Sequence, residues 1–165
     1  MKKTLEQSSI VLAPGGGPTL TFMGMNLAYK VSSDETGGAW ALIEHTLPPH
    51  FAGADLHWHK VTRTGFFVLD GRVTFKVGEQ IFVMEPGGFV SVPSQTVHTF
   101  SNEQDVSARL LEILLPGGLE NYFKELVSVT QTEADIQLQE SRLLRDLQEQ
   151  YDIFTSDATN ERTTE

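Results

Sequence analysis

Glycine and proline interrupt residues 19–115 at intervals of roughly 8 to 12 residues, and the runs between the interruptions read as short β-strands. That spacing predicts a β-sandwich or barrel, with no helix before Pro116. Residues 19–30 and 39–47 are two such segments, separated by a turn-rich stretch at 32–38. Pro48-Pro49 then breaks the chain, and Gly53 introduces the next run. Phe66-Phe67-Val68-Leu69 leads into Asp70-Gly71, a hairpin signal, and residues 72–77 alternate polar with apolar as a half-buried antiparallel strand does. Gly78-Glu79, Pro86-Gly87-Gly88 and Pro93 close further runs, and strands around His98 and over 106–115 complete the set.

Past Gly117-Gly118 the period changes. Leu119, Tyr122, Phe123, Leu126 and Val127 follow helical spacing, and Thr132 with Asp135 reads as the cap of a second helical segment. On that segment Ile136, Leu143, Leu147, Tyr151 and Phe154 mark one side, as in an amphipathic helix packed on the barrel or on a partner subunit. The expected divisions are an N-terminal arm (1–18), a barrel (19–116), a helical extension (117–154) and a polar, disordered tail (155–165).

Composition narrows the chemistry. The chain has no cysteine, so any metal must sit on histidine, carboxylate or water. The net charge is -10, and residues 119–165 hold 11 acidic side chains against 4 basic ones, a balance that repels phosphate backbones and argues against nucleic-acid binding. No apolar run approaches the roughly 18 residues of a membrane span, and Glu6 and Gln7 interrupt any secretory signal, so a cytoplasmic location is expected.

Within this frame, Leu56-His57-Trp58-His59 has a specific geometry. Side chains alternate along a strand, so His57 and His59 project from one face and Trp58 from the other. With His98 from another strand, they can cap one face of a divalent ion and leave its remaining positions open. His45 and His50 are expected at the surface or at strand edges, and neither Glu44 nor Glu112 is placed by the sequence as a base. Phe66, Val68, Phe75 and Phe100 are candidate pocket-lining residues, because Phe66 and Val68 share the parity of position 64 and Phe100 that of His98.

Two ordered motifs carry a family likeness. Gly53, His57, His59 and Gly71 fit the first, and Gly87, Pro93, His98 and Asn102 fit the second. The chain therefore resembles the cupin family of double-stranded β-helix, or jelly-roll, barrels. Three departures stand out: a shortened spacer after Gly53, Gln95 in place of the second motif's glycine, and Thr64 where the first motif has a metal-binding glutamate. The resemblance implies a metal centre of His57, His59 and His98, holding one divalent Fe, Mn, Ni, Cu or Zn ion, with Thr64 in its second shell. Without the carboxylate, three neutral imidazoles leave the ion its full charge, which favours an anionic ligand such as an enolate, diketonate or carboxylate. The likeness is to quercetin-dioxygenase-like single-domain cupins, implying a dioxygenase that acts on a small enolic or flavonol-like substrate with dioxygen, in a homodimer. The alternatives are a non-catalytic, small-molecule-binding sensor barrel and a cupin isomerase or decarboxylase.

Overall fold

A computed structural model of the chain describes residues 9–129 and 142–156. Two antiparallel sheets face each other. The six-stranded sheet is ordered β1 (Thr19–Phe22), β2 (Met25–Val31), β3 (Ala41–Leu47), β10 (Ala108–Leu115), β5 (Arg63–Asp70) and β8 (Phe89–Val92). The five-stranded sheet is ordered β11 (Phe154–Thr155), β4 (His57–Trp58), β9 (His98–Ser101), β6 (Val73–Val77) and β7 (Gln80–Met84). From β3 to β10 the chain changes sheet at every connection except the β6–β7 hairpin, which is the jelly-roll winding. Asp70-Gly71 is accordingly a corner between sheets and not the hairpin its composition suggests. Both kinds of turn need a residue with positive φ, and Gly71 supplies it at 72° where a Cβ would lie 2.9 Å from the Cα of Ala108.

Strand alternation builds the core. Leu27, Ile43, Leu47, Val68, Leu110 and Leu114 are fully buried between the sheets, each contributing roughly 1.5 to 3 kcal/mol relative to exposure. On the inner faces of β3, β5 and β10 the apolar rule is broken at His45, Thr64 and Glu112, all buried.

The structure corrects the expectation of no helix before Pro116. A single turn, α1 (Ser33–Thr36), forms because the Glu35 carboxylate accepts hydrogen bonds from the N–H and Oγ of Ser32, and Gly37 ends it in the left-handed region. After β10, α2 (Glu120–Val129) packs on β1 and α3 (Arg142–Gln150) packs on α2. Leu119, Tyr122, Leu126 and Leu147 join the core, and Phe123 meets Phe22 at 5.6 Å between ring centroids. Among the described residues, Leu119, Tyr122, Leu126 and Leu147 of the apolar side are thus buried within the chain itself. Thr132 and Asp135 of the expected cap, and Ile136 and the side chain of Leu143, which belong to that apolar side, lie outside what is described. Phe154 is not on the helix: α3 stops at Gln150, Asp152 takes a φ of 63°, and Phe154 and Thr155 turn back as β11 against β4. Thr155, expected in the disordered tail, is thus in a strand.

Candidate metal centre

Three local features bring the histidines together. Antiparallel pairing of β4 with β9 sets His57 directly opposite His98, so both project to one face. His59 follows β4 by one residue, and the ring centroids then lie 4.6 Å (57–98), 5.1 Å (57–59) and 5.2 Å (59–98) apart. Gly53 makes the approach feasible, since at its φ of 93° a Cβ would run into the carbonyl oxygen of Phe100 in β9. Gln95, in the motif's glycine position, has a φ of 64°, the conformation that explains a glycine preference there, and its N–H donates to the carbonyl of His59 at 2.6 Å. Asn102, fully buried, ties the neighbouring loops by donating to the carbonyls of Pro48 and Val106.

The hydrogen bonds fix the tautomers. Each Nδ1 faces a backbone carbonyl: His57 that of Asp55 at 2.7 Å, His59 that of Asp152 at 2.7 Å, His98 that of Thr96 at 2.8 Å. A carbonyl only accepts, so each Nδ1 carries the hydrogen and each neutral ring keeps a bare Nε2 lone pair. One ring nitrogen from each residue lies within 4.8 Å of the other two, so small ring rotations bring the set to an ion about 2.0 to 2.1 Å from each. The donor set fits a divalent metal.

Electrostatics favours the neutral form of His57 and His98. Burial, reinforced by its histidine neighbours, lowers His98 to about 4, and burial is also the main cause lowering His57. In the metal-free protein, the unfolded chain takes up the His98 proton near pH 6.5 and the folded chain only near 4. Stability is therefore full above pH 6.5 and falls by about 3 kcal/mol as the pH drops through 4, at 1.36 kcal/mol per pH unit of difference. Denaturant titration of metal-free protein across this range checks it, with His98→Gln expected to flatten the loss; equal slopes would contradict it.

Thr64 faces inward on β5 at 2% exposure, and its Oγ1 has no partner among the described residues. Phe66 and Phe100 form an apolar wall near the imidazoles, with ring centroids 5.4 Å apart and Phe66 at 6.3 Å from His98. Val68 and Phe75, like Phe66, are almost fully buried, at 0% and 1% exposed.

The interior holds one arrangement that the sequence reading missed. His45 is not at the surface: it is 1% exposed, and its Nε2 lies 2.8 Å from a carboxylate oxygen of Glu112 on the adjacent strand. Burial opposes ionisation of Glu112, but the hydrogen bond to His45 leads the influences that prevail and lower its carboxyl. The Nδ1 of His45 is buried without a described partner. His50 does lie outside, beside Asp105, and Glu44 points outward to Lys30 and Arg109. The parity of Ile43 and Leu47 around His45, and of Leu110 and Leu114 around Glu112, is the signal that places both inside.

The cupin domain family of the cupin 2 type matches residues 43–114. A quercetin 2,3-dioxygenase of Bacillus subtilis (strain 168) is 30% identical over 70 residues, which is 42% of this chain but only 20% of that protein's length. A predicted oxalate decarboxylase from Thermotoga maritima superposes with a TM-score of 0.59 at 16% identity, covering 64% of this chain and 98% of its own. A sugar phosphate isomerase of the cupin superfamily from Silicibacter pomeroyi gives 0.53 at 18% identity, covering 64% and 74%. The solved structures share the fold, and their differing names leave the reaction to be argued from the site.

Proposed function

Because this chain belongs to the cupin superfamily, through its cupin 2 domain at residues 43–114, we propose that it is a metal-dependent dioxygenase of small enolic or flavonol-like molecules. The observation that carries the reading is a buried carboxylate, Glu112, paired with His45 and within electrostatic reach of three imidazoles whose lone pairs converge. A bound divalent ion would supply Lewis acidity at its open positions. The protein supplies the rest. His57, His59 and His98 hold the ion without adding negative charge, so an anionic oxygen donor is the preferred further ligand. Glu112 and His45 take the proton that a neutral enol must lose, and the dyad, negative before transfer, ends with no net charge. Phe66 and Phe100 receive the apolar body of the substrate, and Thr64 Oγ1 offers it a hydrogen bond. Both atoms of dioxygen would enter the product, so no external reductant is required. The partial overlap with the quercetin dioxygenase supports the substrate class.

Oxygen uptake by metal-reconstituted protein, screened with flavonols and β-diketones, tests the reading. The expected result is uptake equal to substrate consumed, falling about 10²- to 10⁴-fold in Glu112→Gln, the range for loss of a general base, at unchanged metal content. No uptake with either class in fully loaded protein would overturn it.

A further inference from the structure

We infer that residues 148–156 form a strap that completes the metal site, with Asp152 as its positioning residue; this rests on the three-histidine centre proposed above. His57 and His98 bond to carbonyls only two residues away, Asp55 and Thr96. His59 bonds instead to the carbonyl of Asp152, 93 residues away, at 2.7 Å. His59 also lies just beyond the end of β4, where no strand ladder orients it. Its ring direction is therefore set by a remote segment.

Asp152 does two jobs at once. Its carbonyl takes the His59 Nδ1–H, while its carboxylate accepts the N–H groups of Lys60, Val61 and Thr62 and the hydroxyl of Thr62, at 2.7 to 2.9 Å. Those amides belong to the turn that follows His59, so one residue grips both the ligand and the backbone that leaves it. The left-handed φ of 63°, tolerated by Asp and Asn, lets the carbonyl and the carboxylate of Asp152 reach these partners together. On either side the strap is anchored. Ile153 is buried and its N–H returns to the carbonyl of Gln148 at 2.8 Å. Phe154 stacks on Trp58 with centroids 4.7 Å apart, Thr155 pairs with His57, and the Ser156 N–H reaches the carbonyl of Leu56 at 3.1 Å.

Anything that holds His59 in place for metal must share that free energy with the docking of the strap, and the coupling runs both ways. Zinc titration of the full-length protein, with hydrogen exchange followed at residues 60–62 and 151–156, tests this. Loading wild type with Zn²⁺ is expected to slow exchange in both segments. Asp152→Ala is expected to weaken Zn²⁺ binding about 10- to 100-fold, the usual effect of losing an outer-shell partner. Asp152→Asn keeps the left-handed backbone and one acceptor oxygen, so it recovers most of the affinity; if the alanine variant fails to fold, the exchange measurement on wild type and the asparagine variant's near-native affinity decide. Exchange in 151–156 that ignores zinc, or an alanine variant that folds and binds like wild type, would overturn the strap. A wild type that binds no zinc at all would overturn the three-histidine centre with it.

Discussion

Thr64→Glu is expected to tighten divalent-metal binding by about two orders of magnitude while destabilising the metal-free protein. The position faces the barrel interior at 2% exposure, separated from Gly71 by six residues, where the cupin motif has its carboxylate. A structural zinc site is worth about 10 to 16 kcal/mol over four ligands, so one added ligand brings roughly 3 kcal/mol, or about 100-fold. Without metal the same carboxylate is a buried charge facing only neutral imidazoles, at a cost of about 3 kcal/mol or more. The two effects have opposite sign, which separates them from a general change in packing. The carboxylate would also take the place of an anionic substrate, so β-diketone binding to the loaded variant is expected to weaken. Calorimetric metal titration with denaturant unfolding, with and without metal, reads all of this. A folded Thr64→Glu variant with unchanged metal affinity would mean that position 64 does not face the ion.

Much of this site was legible in the chain because β-structure writes its geometry locally. Alternation alone turns His57 and His59 to one face, and the spacing of Gly87, Pro93, His98 and Asn102 identifies the third ligand. What eluded the sequence depends on contacts between distant strands. His45 and Glu112 meet across β3 and β10, 67 positions apart, and each in isolation looks like an ordinary strand-edge polar residue. The parity of their apolar neighbours marks them as inward, but only pairing the strands shows that each satisfies the other. Asp70-Gly71 has the local chemistry of a hairpin, and whether the next strand pairs or crosses to the other sheet is a property of the whole barrel. Asp152 carried no local signal at all. Helical spacing ran through Tyr151 to Phe154, whereas the chain leaves the helix after Gln150, and the anion-binding turn at 60–62 that Asp152 caps is visible only once both are placed.

Loss of the metal on removing two of its three imidazoles is the other large effect. A His57→Ala/His98→Ala variant keeps one ligand, and at roughly 3 kcal/mol for each ligand removed its affinity is expected to fall by about four orders of magnitude. Both substitutions fall on facing positions of one strand pair, and the core leucines of the six-stranded sheet are untouched, so the barrel is expected to remain folded. The measurement that tests the three-histidine centre most directly is elemental analysis of wild type and this variant, purified without added metal or a histidine tag and then reconstituted separately with Fe, Mn, Ni, Cu and Zn. Near one equivalent of metal in wild type, lost in the folded variant, is the predicted result. A wild type that retains none of the five ions, or a variant that binds them equally well, would contradict it.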